Sequence, residues 1–218
     1  MIAVGRRIGH SAAVVGISVT VTIVTACTSV DGRQAASLRT VPNSSPMQIR
    51  QTDAQGRKLP FTTKFRHRWN SANSGTTYEP CTAAGSADVD RLGVDLTTVK
   101  DIAGTDGQTS RGCTWKYSGV DRDHGWSVTQ VVGNSPSLAT DKQKRRSVSD
   151  QWRSDVTIDG RLVGLHTTTY GRACDTYVQS GQAAVSTFVS VIDRGIGTDE
   201  VCERALAFTR ATIGQMPP

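Results

Sequence analysis

The chain has 218 residues and a formal net charge of +6, with 37% hydrophobic, 6% aromatic and 20% charged residues. This composition excludes a fibrous protein, a chain disordered throughout and a membrane protein with several spans. The length suits one hydrophobic core with extensions, and the small aromatic share predicts a modest core.

The first 26 residues are organised like a secretory signal peptide. Arg6 and Arg7 form a basic start, and an uncharged stretch over residues 11–26 follows. That stretch is shorter than the roughly 20 apolar residues of a spanning helix, and serines and threonines interrupt it. We therefore expect residues 1–26 to be removed on export, and an uncleaved anchor helix is the alternative.

The stretch ends in Val24-Thr25-Ala26-Cys27, the residue order of a bacterial lipobox. In that pattern the thiol of Cys27 takes a diacylglyceryl group, and the cysteine becomes the mature N-terminus. Each buried methylene of a fatty acyl chain such as palmitate contributes about 0.8 kcal/mol to the free energy of membrane binding, so two chains anchor a protein firmly. The sequence predicts a lipid-anchored protein on the extracytoplasmic face of the cell membrane.

Four cysteines remain once Cys27 is set aside, an even number in a chain predicted to be exported. Because thiols oxidise outside the cytoplasm, we expect two disulfides. Of the three possible pairings, Cys81 with Cys113 and Cys174 with Cys202 close the shortest loops, and we predict these. A zinc site is disfavoured because no two cysteines have C-x-x-C spacing.

Residues 27–60 form a predicted flexible tether. The segment after Cys27 is polar and has no hydrophobic period, so burial cannot offset the entropy of ordering it. Its excess of basic residues would attract an anionic membrane surface, and solubility alone is the equal alternative. We expect a single extracytoplasmic domain over residues 61–218.

The predicted domain begins with short elements. Alternating aromatic and cationic residues over 61–69 predict a half-buried strand. Ser86 is placed to cap a short helix that ends at Gly93. Strands are predicted over 112–118 and 126–132, on either side of a polar turn.

Asp159-Gly160 is the clearest turn signal, since this pair supplies the positive φ angles of a type I′ hairpin. It predicts paired strands over 154–158 and 161–170, and a second hairpin joins 174–179 to 182–192. Residues 198–214 have helical spacing. Together the elements predict an α+β domain: an antiparallel β-sheet with a short N-terminal helix and a longer C-terminal helix packed on it.

A basic cluster of Lys142, Lys144, Arg145 and Arg146 lies in a polar segment, predicted to be a short helix or a loop. Solvated charge is the role we favour, and contact with acidic envelope polymers or lipid headgroups is the alternative. Export excludes a nuclear signal, and no nucleic-acid partner is expected.

Several short motifs resemble a known family. They are Trp69-Asn70, Tyr78-Glu79-Pro80-Cys81, Leu92-Gly93, Gly112-Cys113-Thr114-Trp115, Gly160-Arg161 and the pair Cys174 and Cys202. The chain resembles the actinobacterial lipoproteins grouped as DUF3558, a domain of unknown function. The resemblance implies an actinobacterial envelope and favours the sequential disulfides. It implies no catalytic residue, because its motifs are cysteines, tryptophans and turn glycines.

Familiar enzyme motifs are absent from the sequence, including G-x-S-x-G, H-E-x-x-H and a glycine-rich phosphate loop. We therefore expect no catalytic residues, metal ligands or cofactor. An enzyme would need a pocket in which His124 or His166 meets a carboxylate or hydroxyl.

Two function classes remain, and both assume a monomer. The prediction is a non-catalytic binding domain for an envelope lipid, glycan or small molecule. The alternative is a protein-interaction or structural module of the envelope. A concave apolar pocket would favour the first class, and a flat exposed apolar patch would favour the second.

Overall fold

The computed structural model describes residues 48–145, 150–168 and 172–218. Cys27 and Arg146 therefore lie outside the described residues, as do the predicted signal peptide and the first part of the tether. None of the helices within the described ranges is long and apolar enough to cross a bilayer.

The described residues form an eight-stranded antiparallel sheet with short helices and one long helix. The strands are β1 (Val94–Asp101), β2 (Arg111–Tyr117), β3 (Ser127–Asn134), β4 (Asp150–Trp152), β5 (Val156–Ile158), β6 (Arg161–Thr168), β7 (Ala173–Ser180) and β8 (Ala183–Ser190). The helices are α1 (Pro80–Ala83), α2 (Ala87–Asp90), α3 (Gly119–Asp123), α4 (Leu138–Lys144) and α5 (Thr198–Ile213). The strand order is β1-β2-β3-β8-β7-β6-β4, and β5 also pairs with β6.

The predicted hairpins explain the centre and one edge of this sheet. Asp159 and Gly160 have φ angles of 50° and 75°, which confirms the turn predicted between β5 and β6. Across the next hairpin, Ser180 pairs with Ala183, and the register continues to Ala173 opposite Ser190.

The inner face of the sheet holds the main core and the long helix. One disulfide joins Cys81 at α1 to Cys113 on β2, and the other joins Cys174 on β7 to Cys202 on α5. Between them Trp115 packs on Phe208, with ring centroids 5.8 Å apart. The predicted α+β fold and both disulfide pairs are confirmed.

Successive residues of a strand lie on opposite faces of the sheet, and here the residues of the outer face are more polar than those of the inner face. On β3 and β8 most inward residues are buried and most outward residues are half-exposed. Helix α4 covers the outer face at β7.

The N-terminal end of the domain differs from the prediction. Residues 61–69 form no strand. The guanidinium of Arg68 instead lies 5.6 Å from the Phe61 ring and 4.7 Å from the Trp69 ring. In this segment Arg68 therefore stacks on two of the aromatic rings, and the residues do not pair in a sheet.

Part of the predicted tether also belongs to the folded unit. Within residues 48–68, here called the strap, Leu59 and Asp53 are buried. Asp53 accepts hydrogen bonds from Thr82 Oγ1 at 2.7 Å and from Arg57 Nε at 2.6 Å. Because the bond from Thr82 fixes the strap to α1, the folded unit begins before residue 61.

Candidate functional site

An open groove of about 380 Å³ lies where the start of β6, the start of α4 and the last residues of the chain meet. Its lining is mainly apolar. We call it the Arg161 groove, and its lining residues are Pro136, Ser137, Leu138, Arg161, Leu162, Gln179 and Pro218.

Local sequence signals position the walls of this groove. The Asp159-Gly160 turn sets Arg161 and Leu162 at the start of β6, and Leu162 is 56% exposed. The Ser137 hydroxyl accepts a hydrogen bond from the Thr140 N–H, so α4 begins at Leu138. A Cβ at Gly164 would lie 2.5 Å from a terminal methyl of Leu138, so the glycine leaves room for Leu138 in its present position on the sheet.

Arg161 supplies the only charged side chain in the groove lining. Its guanidinium donates to the carbonyls of Met216 at 2.8 Å and Ile213 at 3.2 Å, and also to those of Gln179 and Pro217. Within the described ranges it has no carboxylate partner, and burial lowers its pKa. The wall therefore carries a positive charge whose hydrogen-bond partners in the described structure are backbone carbonyls.

A second polar cluster lies beside the Cys81–Cys113 disulfide, with Arg68, Glu79 and Arg111 buried and Asp101 partly exposed at its edge. Glu79 accepts from Arg68 Nη1 at 2.9 Å and from Arg111 Nη1 at 3.0 Å, and Arg68 Nε donates to Asp101 at 2.9 Å. Two guanidinium groups thus face two carboxylates. This balanced network holds the strap, α1 and β2 together and has no charge left for a ligand.

A family model described as a protein of unknown function, DUF3558, matches residues 22–215. The chain belongs to this family. The matched range includes Cys27 and all four disulfide cysteines. No curated protein and no solved structure matches the chain.

The basic cluster of this DUF3558 domain is partly engaged by the fold. Lys142 Nζ lies 2.6 and 2.7 Å from the two carboxylate oxygens of Asp155. The Arg145 guanidinium lies 5.1 Å from the Tyr177 ring and 3.6 Å from Asp175. Lys144 and Arg145 are both exposed, whereas Lys142 is partly buried, and neighbouring acidic and aromatic side chains contact Lys142 and Arg145.

Both candidate histidines of the DUF3558 domain lie beside carboxylates. His124 Nδ1 is 2.6 Å from Asp193, and both side chains are partly exposed at the surface. A hydrogen bond from Gly195 N–H, together with that from His124, lowers the pKa of Asp193.

His166 is buried on the outer face, 3.4 Å from Asp175, and its ring centroid is 5.0 Å from that of Trp152. Neither histidine lines the Arg161 groove. Among the described residues, no group of three or more histidine, cysteine, aspartate or glutamate side chains could hold a metal ion.

The sequence contained only a weak signal for the groove. Gly160-Arg161 is one of the family-like motifs, but a turn and a basic residue do not predict a pocket. The lining comes from four separate segments of the chain, so no single sequence window shows it.

Proposed function

We propose that this DUF3558 domain is a non-catalytic, lipid-anchored binding module on the extracytoplasmic face of the membrane, and that its Arg161 groove takes a small amphiphile with an acidic head group. The observation that carries the proposal is an apolar groove whose one charged side chain has no carboxylate partner in the described structure.

The shape and lining of the groove support a ligand of this kind. Binding sites are concave and mostly apolar, with a few polar groups that orient the ligand. Leu138, Leu162 and Pro136 offer apolar surface to an alkyl chain. An acid group beside Arg161 would form a charge-assisted hydrogen bond at a site partly screened from water.

Location at the membrane rests on Cys27 and on the disulfides. Cys27 follows an aliphatic residue and two small residues, as a lipobox requires. Both disulfides suit an oxidising compartment outside the cytoplasm. An amphiphile-binding domain at the membrane surface would also be close to its ligand.

Replacement of Cys27 tests the anchor. We expect Cys27→Ala to move the protein from the membrane fraction to the soluble fraction, because a chain without a thiol cannot be acylated. Ser37→Ala is the matched control and should remain membrane-bound with the mass of a lipidated chain. Full retention of Cys27→Ala would show that the apolar segment itself is the anchor.

Replacement of Leu162 tests the groove. Leu162→Glu adds a carboxylate next to Arg161 and should weaken oleate binding at least about tenfold, through repulsion and lost apolar contact. Val120→Glu is the control, since Val120 is 73% exposed and lies on α3. Binding is measured as added ligand mass in native mass spectrometry of the full-length protein.

The head group is tested separately with an alcohol of the same chain length as oleate. The alcohol should bind more weakly to the unaltered protein, because it lacks the charge that Arg161 attracts. Equal binding of oleate and the alcohol would show that Arg161 does not contribute to ligand binding. If Leu162→Glu bound oleate as well as the unaltered protein does, the groove would not be the binding site.

The protein-interaction alternative also has an observation in its favour. Val120 and Ile192 are 73% and 76% exposed. The segments that carry them are connected, because the Ile192 N–H donates to the carbonyl of His124, just beyond α3. A partner that binds here should be lost from crosslinked envelope samples of the Val120→Glu/Ile192→Glu variant and kept by Leu162→Glu.

A further inference from the structure

A basic region lies where the chain enters the domain. The strap carries six basic side chains and one acidic side chain. With the edge strand β1, part of it forms two grooves of about 340 and 440 Å³ that share Phe61 and Thr62. Lys64 and Lys100 line the first, and Lys58 lines the second. We call the two together the strap groove.

The positive charge of the strap groove is not neutralised locally. Lys58, Lys64 and Lys100 are exposed, and within the described ranges none forms an ion pair. The one carboxylate in the lining is Asp101, which already accepts a hydrogen bond from Arg68 Nε at 2.9 Å. Three exposed ammonium groups therefore surround the groove without an acidic partner of their own.

Other carboxylates near the strap are occupied in the same way. Asp53 is bound by Arg57 and Thr82. Asp106 accepts a hydrogen bond from the His67 N–H and lies 2.8 Å from the ring of that histidine. The lysines thus present a net positive surface to a partner.

Aromatic side chains accompany the lysines. Phe61 and Phe65 line the groove and are only partly buried, and Lys64 Nζ lies 5.4 Å from the Phe65 ring. Cations next to partly exposed rings suit a partner with negative charge above an apolar layer. That is the arrangement of a bilayer interface with anionic headgroups.

We propose that the strap groove docks the domain onto anionic lipid headgroups of the membrane. The position of the chain outside the described structure supports this occupant. The first described residue, 48, lies three positions before Gln51 in the groove lining, and Cys27 lies 21 positions before residue 48. A tether fixed at Cys27 would hold this end of the domain at high local concentration near the bilayer.

The inference goes beyond ligand binding, because it assigns an orientation to the domain, and it rests on the proposed membrane location. A basic residue near an anionic surface strengthens attachment roughly fivefold. Three lysines acting together would therefore hold the groove against an anionic bilayer and leave the Arg161 groove to its own ligand.

The test uses the full-length protein, isolated from its membrane and placed in nanodiscs. One set contains phosphatidylcholine alone, and the other contains one-third phosphatidylglycerol. We expect hydrogen exchange of residues 58–65 to slow in the anionic discs, and added salt to reverse the effect. In the Lys58→Gln/Lys64→Gln/Lys100→Gln variant, the slowing of hydrogen exchange by the anionic discs should be at least about tenfold smaller.

The control variant is Arg91→Gln/Arg194→Gln/Arg210→Gln, which removes the same charge from exposed positions on other segments. It should keep the protection. Equal exchange in the two lipids, or equal loss in both variants, would overturn docking. Protection by soluble glycerol phosphate without a bilayer would assign the groove to a free anion and also overturn it.

The intact mass of the isolated protein shows whether the chain is acylated, so it distinguishes the docking proposal from the proposed anchor at Cys27. An acylated chain without lipid-dependent protection would overturn docking and leave the anchor at Cys27 in place. An unacylated chain that still shows protection by anionic discs would support docking and contradict the anchor.

Discussion

Glu79 is the residue on which the buried charge network depends. Burial disfavours the charge of Arg68, but hydrogen bonds and attraction from Glu79 and Asp101 outweigh it and raise the pKa of Arg68. Burial lowers the pKa of Arg111 despite its contact with Glu79. Glu79 therefore supplies negative charge that compensates both buried guanidinium groups.

Glu79→Gln should lower the free energy of unfolding by about 3–5 kcal/mol, since it leaves buried positive charge without its partner. Urea denaturation followed by tryptophan fluorescence measures the change. Asp88→Asn is the control, because the Asp88–Arg91 pair is exposed and should contribute less than about 1 kcal/mol. A loss below about 1 kcal/mol for Glu79→Gln would mean that the cluster is solvated.

Tyr78-Glu79-Pro80-Cys81 was recognised from the sequence, but the role of Glu79 was not. A single acidic residue in a motif predicts no partner, and its two partners come from positions 68 and 111. The alternation over residues 61–69 predicts a half-buried strand and indicates no carboxylate partner for Arg68. Long-range charge pairing of this kind has no local period, so sequence patterns do not reveal it.

At the scale of elements, those with strong local signals were predicted well. The Asp159-Gly160 turn supplies the positive φ angles of its hairpin, and α5 has apolar residues at helical spacing with acidic residues in its first turn. Strand β1 was missed because its sequence is polar and its pairing with β2 shifts register between Asp95 and Lys100. A polar, irregular edge strand lacks the alternation that predicts strands.

The end of helix α4 gives a prediction at this scale, because Lys144, its last residue, and Arg145, its C-cap, have different surroundings. Arg145→Gln should lose about 1 kcal/mol of stability, since the guanidinium lies over Tyr177 and near Asp175. Lys144→Gln should be neutral, as Lys144 is exposed. Thermal denaturation of the two variants measures the difference, and equal melting temperatures would show that Arg145 contributes nothing.

At the scale of the whole molecule, the two disulfides fasten the inner helices to the sheet at separate places. Cys81–Cys113 holds α1, which in turn holds the strap through Thr82 and Asp53. Cys174–Cys202 holds α5 to β7. The two helices are also linked, since Gln215 Nε2 donates to the carbonyl of Ala83 at 3.1 Å. The strap is therefore attached directly through the α1 disulfide, and it reaches the α5 disulfide only indirectly, through α1 and Gln215.

Removing one disulfide should be tolerated, and removing both should not. The sequence separations are 32 and 28 residues, so each bond stabilises the fold by roughly 3.5 kcal/mol in the chain-entropy model. Domains of this size have total stabilities of about 5–15 kcal/mol. We expect Cys81→Ala/Cys113→Ala and Cys174→Ala/Cys202→Ala each to fold with a lower urea midpoint, and the fourfold variant to be largely unfolded.

The two double variants should also differ in where they loosen. Loss of Cys81–Cys113 removes the bond nearest the strap, so hydrogen exchange should rise first over residues 53–59. Loss of Cys174–Cys202 releases α5, which packs on β7 and β8, and exchange should rise over the helix and the centre of the sheet. The same exchange pattern in both variants would mean that the strap, α1 and α5 open as one cooperative unit.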